Sequence, residues 1–284
     1  MFTEEEKDEI RGIVRGGYKQ TAAGGTPCCA PGCCGAANGV DDNAQLALQL
    51  GYSSEELAVL PDGANMGLSC GNPSAIASLK AGDVVMDLGS GGGFDVFIAG
   101  KKVRQDGRVI GVDMTPEMIT KARNNAVTYR NRTRLDNVEF RLGEIEHLPA
   151  ADNSIDVLIS NCVLNLSPDK PQVWKEIARV LKPGGRVSIS DMALLKPLPL
   201  EVRKMAEALI SCIAGAELLS NSERFAREAG LAEIEISPQQ KYVEILEDSK
   251  DPLYAEITAM LPLGSKLSDF ITSAIVSARK PLRQ

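Results

Sequence analysis

The sequence predicts an α/β fold built on a parallel sheet with helices on both faces. Three observations lead there. The stretch Val84-Val85-Met86-Asp87-Leu88-Gly89-Ser90-Gly91-Gly92-Gly93-Phe94-Asp95 runs from a short apolar strand, through a glycine-rich turn, into the apolar helix Phe94–Gly100. From there to Asp191, strand-like and helix-like segments alternate, as in strands joined by helical crossovers. Asp87, Asp113, Glu144, Asn161 and Cys162 all fall at the carboxyl ends of strands, where a parallel sheet binds its ligands.

The glycine loop narrows the choice of ligand. A dinucleotide site asks for Gly-x-Gly-x-x-Gly, and the third glycine would fall on Phe94. The spacing is instead Gly89-x-Gly91-x-Gly93, preceded by Asp87. Backbone N–H groups and the positive end of the helix meet a ligand there, and glycine admits positive φ and close approach. Such a loop suits a nucleoside with an amino-acid tail.

Thr3 with Glu6 reads as a capping box opening a polar helix over 3–15, with Ile10, Ile13 and Val14 as its apolar stripe. From Gly16 to Asn38 the composition turns to Gly, Ala, Pro and Cys, and no period survives. Cys28, Cys29, Cys33 and Cys34 lie in that loop. Four thiols in a loop point to redox chemistry or soft-metal capture rather than to a linker with incidental cysteines. A structural zinc knot spreads its four ligands more widely than this. Residues 41–60 read as short helical turns, capped at Asp42 or Asn43 and started again at Ser53. Pro61 to Pro73 is a loop rich in turn residues, with Cys70 in its most glycine-rich part. A helix from Pro73 toward Lys80 precedes the first strand.

Arg108–Asp113 is the second strand, ending in an acid placed to bond both ribose hydroxyls of a nucleoside. Thr115-Pro116-Glu117 starts a helix toward Asn131. Asn137–Leu142 is the third strand and Ser154–Asn161 the fourth. Asp169–Leu181 is an amphipathic helix, stopped by Lys182-Pro183-Gly184-Gly185 before the fifth strand, Arg186–Asp191. Pro199 to Ala216 reads as helical and carries Cys212. Ser222–Ala229 is a short helix closed by Gly230, and Glu233–Ile236 and Ile271–Ala278 are strands that complete the sheet. The expected organisation is an N-terminal extension over 1–73, a core over 74–193 and a smaller C-terminal region over 194–284.

Composition sets the outer limits. A net charge of −7 argues against a nucleic-acid backbone as partner. No apolar run approaches a membrane span, and the acidic start lacks the segments of a signal peptide, so a cytoplasmic protein is expected. Seven cysteines in 284 residues do not make a secreted disulfide scaffold. The single histidine, His147, excludes multi-histidine metal sites and reads as an ordinary loop residue.

Asp87-x-Gly89-x-Gly91-x-Gly93, Asp113 and Lys182-Pro183-Gly184-Gly185 resemble the class I S-adenosylmethionine-dependent methyltransferases over residues 74–191. That resemblance implies a Rossmann-like sheet, S-adenosylmethionine as cofactor and no metal cofactor. It implies cofactor contacts at Asp87, Gly89, Gly91, Gly93, Asp113, Met114, Glu144 and Ile145, with Ser90, Asp95 and Asn161 beside them. A narrower likeness runs from about 61 to 216. Leu68-Ser69-Cys70-Gly71-Asn72-Pro73, Ser160-Asn161-Cys162-Val163-Leu164-Asn165-Leu166 and Ser211-Cys212-Ile213-Ala214-Gly215-Ala216 are similar to arsenite methyltransferases. In that family three cysteines bind trivalent arsenic, here Cys70, Cys162 and Cys212, and a further N-terminal cysteine supports reduction. Cys28, Cys29, Cys33 and Cys34 are equal candidates for that last part. The family's usual Tyr-Gly pair is missing, since Tyr18 is followed by Lys19.

The chemistry agrees with the likeness. Trivalent arsenic is soft and suits thiolates, and its lone pair can take a methyl group in line without a general base. The expected partners are arsenite, free or as a thiol conjugate, and thioredoxin or glutathione as reductant. Two other readings stand beside this one: methyl transfer to a small organic acceptor with structural cysteines, and a non-catalytic soft-metalloid binder.

Overall fold

The computed structural model describes residues 2–23, 40–205, 208–209, 212–240, 243–244, 247 and 252–282. The four cysteines between 28 and 34 lie outside the described residues. Helix α1 (Glu4–Ala22) starts on the expected capping box, with the Glu6 amide donating to Thr3 Oγ1 at 3.2 Å and the Thr3 amide to Glu6 Oε2 at 2.7 Å. It continues past the predicted end at 15, through Gly16 and Gly17. Tertiary contact sustains it: Val14 is fully buried and Tyr18 packs beside it against the apolar cluster at the site.

The helices α2 (Val40–Gln49), α3 (Ser54–Ala58) and α4 (Pro73–Ile76) lead into the sheet. Five parallel strands follow: β1 (Val84–Leu88), β2 (Arg108–Asp113), β3 (Val138–Leu142), β4 (Ile155–Asn161) and β5 (Leu181–Leu194). The C-terminal region adds β6 (Glu217–Leu218), β7 (Ala232–Gln239) and β8 (Ile271–Arg279). The order across the sheet is β3-β2-β1-β4-β5-β8-β7, with β6 parallel to the far end of β5. β8 lies antiparallel between β5 and β7.

Side chains alternate across the sheet and make two cores. Val85, Val109, Val157 and Ile159 face α5 (Phe94–Val103) and α6 (Pro116–Thr133), where Phe97 stacks on Tyr129 at 5.1 Å. Met86, Leu88, Val112 and Leu158 face α7 (Lys170–Val180) and the helix Leu219–Glu228. A third cluster caps the carboxyl ends of the strands. It joins Cys70 and Cys212 to Val202, Val243, Tyr254, Ile257 and Phe270 of the C-terminal region.

Two expectations are corrected. The stretch from Pro199 to Ala216 is not one helix: Leu200–Arg203 is helical, and Cys212 to Ala216 is a turn entering β6. The turn passes so close to the loop after β4 that a Cβ at Gly215 would stand 2.1 Å from the Asn165 carbonyl oxygen. The fifth strand is longer than Arg186–Asp191 at both ends: Leu181 pairs with Ile155 of β4 at the near end, and β8 pairs with it from Arg186 to Leu194 at the far end. No described helix is long and apolar enough to cross a membrane.

Candidate active site

The site lies at the carboxyl ends of β1, β2, β4 and β5, where the chain's strand order reverses on either side of β1. Gly89, Gly91 and Gly93 all hold positive φ, at 68°, 49° and 98°. A Cβ at Gly89 would stand 2.4 Å from Val163 Cγ2, and one at Gly93 would stand 2.6 Å from Phe97 Cε2. Glycine is therefore required at both, for different reasons. Gly89 and Gly91 line a cavity, whereas Gly93 caps α5 against Phe97 and Phe140 and faces the core. Gly93, expected at the cofactor, packs against Phe97 and Phe140 in this structure.

A cavity opens at this end of the sheet, between the glycine loop and α1. Gly89, Gly91, Asp113, Met114, Ile145 and Asn161 line it, and so does Cys162. Asp113 ties the loop to the end of β2: its carboxylate accepts from the Gly91 amide at 3.0 Å and the Thr115 amide at 2.8 Å. Glu144 departs from expectation. It turns away from the cavity to α1, where Arg15 reaches it at 3.3 Å and Arg11 at 3.7 Å, and Glu146 lines the wall instead.

α1 forms one wall through Val14, part of the expected apolar stripe, and through Arg11 and Tyr18, which periodicity alone did not single out. Lys7, Arg11, Arg15 and Lys19 recur every fourth residue, one face of a helix. Each meets an acid at the rim: Lys7 meets Asp169 at 2.7 Å, Arg11 and Arg15 meet Glu144, and Lys19 meets Glu117 at 3.2 Å.

A smaller adjoining cavity is lined by Asp87, Ser90, Asp95 and Met66. Asp87 and Asp95 are buried, and among the described residues no lysine or arginine pairs with either. Burial, with the charges of Asp95 and Asp113, pushes Asp87 well above the ordinary carboxylate range. Burial raises Asp95 to about 6, although Asn161 and Tyr52 donate to it. Two buried acids with no ion-paired lysine or arginine among the described residues suit a ligand that carries positive charge, such as the ammonium and sulfonium of S-adenosylmethionine.

The three predicted cysteines come together. Cys70 and Cys162 are joined in a disulfide, with Cα atoms 6.1 Å apart, and the Cys212 thiol donates to the Cys162 carbonyl at 3.1 Å. The expectation of three thiols thus holds in this form at Cys212 alone, and a soft ligand needs the disulfide opened first. Cys162 and Cys212 both adopt left-handed backbone, φ 56° and 65°. A side chain there costs on the order of 1–2 kcal/mol, so packing alone would favour glycine at either position. Asn165 fixes the second of them, donating to Cys212 O at 3.2 Å and to Asp191 Oδ1 at 2.9 Å. Asp191 lies with a carboxylate oxygen within 4.8 Å of the sulfurs of Cys70 and Cys162, and burial raises it to about 7. His147 sits exposed in a turn, away from both cavities.

Comparison with known proteins agrees with this geometry. A family model described as a methyltransferase domain matches residues 79–249. The chain is 41% identical to an arsenite methyltransferase of Halobacterium salinarum over 292 aligned residues, spanning all of this chain and 70% of that protein. A human arsenite methyltransferase is 38% identical over 137 residues, 46% of this chain and 36% of that protein. The crystal structure of an arsenic(III) S-adenosylmethionine methyltransferase from Chlamydomonas reinhardtii superposes with a TM-score of 0.60 at 31% identity, covering 83% of this chain and 73% of that one.

Proposed function

This chain belongs to the arsenite methyltransferase family, and we propose that it moves a methyl group from S-adenosylmethionine to trivalent arsenic held by cysteine thiolates. One observation carries the reading: Cys162 lines the cofactor cavity while it contacts both Cys70 and Cys212. A metalloid bound there lies beside the place where the cofactor's methyl would point.

The residues divide the work. Gly89, Gly91 and Asp113 seat the nucleoside, Met114 and Ile145 face its base, and Asp87 and Asp95 receive its positive end. Cys70, Cys162 and Cys212, all reduced, hold arsenic in a three-thiolate pyramid with its lone pair outward. The cofactor supplies an electrophilic methyl, and the bonding pair stays on its sulfur. Arsenic forms the new carbon bond with its lone pair and passes from trivalent to pentavalent. Two electrons from a thiol pair then restore the trivalent state and leave one disulfide. Cys28, Cys29, Cys33 and Cys34 are candidates for that pair, and thioredoxin or glutathione would reopen it. The chain's part in transfer is proximity and orientation.

The test is direct. Protein incubated with arsenite, S-adenosylmethionine and a thiol reductant should yield methylated arsenic, separated by mass, and Cys162→Ser and Cys212→Ser should abolish it. Cofactor binding with no methylated arsenic from the wild type would sink the reading.

A further inference from the structure

Tyr52 lies outside every motif that carries the family likeness, yet it is buried to 2% exposure behind the site. Its ring meets Phe94 edge-on at 4.9 Å, and its hydroxyl lies 2.8 Å from Asp95 Oδ1 and 3.0 Å from the Gly71 carbonyl. The Asn161 side-chain amide lies 3.1 Å from Asp95 Oδ2, 2.9 Å from Gly71 O and 3.1 Å from the Tyr52 oxygen. The other end of that amide, Oδ1, accepts the backbone N–H of Cys70 at 3.1 Å.

The hydrogen count gives the network a direction. The phenol has one proton, and burial with the Asp95 charge holds its pKa well above the ordinary value, so it remains a donor. Given to Asp95, that proton leaves the phenol oxygen to accept from Asn161. Asn161 then keeps its amide nitrogen toward Asp95 and Gly71, and its oxygen toward Cys70. A flipped amide would point its oxygen at the Asp95 carboxylate and its nitrogen at the Cys70 N–H, losing bonds at both ends. From the other side, Ser273 Oγ donates to the Cys70 carbonyl at 3.0 Å. Gly71 lies against β5 so closely that a Cβ would stand 2.1 Å from Ser190 Oγ.

We propose that Tyr52 is a positioning residue for Cys70: through Asp95 and Asn161 it holds the Cys70–Gly71 backbone against the end of β4, at the sulfur's working distance from Cys162. The proposal rests on the reading of Cys70 as an arsenic ligand. None of these bonds uses a sulfur atom, so the backbone stays placed when the disulfide opens. The thiol is therefore presented to the metalloid rather than recruited by it, which lowers the ordering cost of binding.

Hydrogen exchange tests the brace without arsenic. In the reduced protein, Tyr52→Phe should speed exchange of the amides at 70 and 71 about tenfold, with β1 and β4 unchanged. Unchanged exchange at 70 and 71 overturns the proposal. Asp95→Asn leaves one acceptor where the carboxylate has two, so it cannot accept from both Tyr52 and Asn161 and should do the same, which covers a Tyr52→Phe chain that fails to fold. Titration then tests the consequence. Arsenite affinity should fall about tenfold in Tyr52→Phe, S-adenosylhomocysteine affinity should fall less, and phenylarsine oxide, which needs two thiols, should also lose less. Equal losses for all three ligands mark a general packing role and overturn the proposal. Arsenite binding by the wild type that survives Cys70→Ser would instead refute the ligand assignment, whatever the exchange shows.

Discussion

Asp191 and Asp95 are buried acids raised to about 7 and about 6, chiefly by burial. Each keeps its proton in the folded chain at a pH where the unfolded chain, with a carboxyl near 4, has lost it. Stability therefore falls as pH rises from about 4 to about 7, by about 1.4 kcal/mol per pH unit for each such proton, and levels off above. Denaturant unfolding across that range should show the slope, and Asp191→Asn should flatten it. A cationic ligand beside Asp87 and Asp95 would displace their protons, so cofactor binding near pH 6 should release protons, read by calorimetry in buffers of different ionisation enthalpy. At Gly89 the constraint is steric. Gly89→Ala meets Val163 at 2.4 Å in a left-handed backbone, and should cost about 1–3 kcal/mol of stability together with cofactor binding.

α1 shows what a helix adds that its own sequence announces only in part. Its capping box was legible, and its basic stripe could have been read from the spacing of Lys7, Arg11, Arg15 and Lys19. What the stripe faces could not: Asp169, Glu144 and Glu117 come from three distant elements. The outer pairs are largely exposed and individually weak, while Lys7, with its side chain at 12% exposure, carries more. Replacing Lys7, Arg15 and Lys19 by glutamine should raise the cofactor dissociation constant about threefold to tenfold, and salt should do to the wild type what it no longer does to the variant. Titration at low and high ionic strength checks both. Tyr52 was missed for a related reason, since its role needs Asp95, Gly71 and Asn161 to meet and no spacing records that.

Across the molecule, the parallel half of the sheet was legible because local signals and tertiary roles coincide there. Apolar runs, glycine turns and terminal acids all mark the same strands. The C-terminal region was harder to read. Its strands were recognised at 233–236 and 271–278, but not that β8 runs antiparallel between β5 and β7, because alternation along one strand does not name its neighbour. The cysteines were legible as a group, since Cys70, Cys162 and Cys212 do converge. Their pairing state was not, because a thiol and a half-disulfide are written with the same letter.

The position of β8 also orders the molecule in time. β5 and β7 are both made before it and share no bond until it slides between them, and the Cys70 carbonyl waits for Ser273 on the same strand. Without β8, the edge of β5 from Arg186 to Leu194 has no partner on that side. Such an edge is a template for a neighbouring chain. β8 is thus the strand that covers the edge of β5 and ties β7 to the parallel half of the sheet.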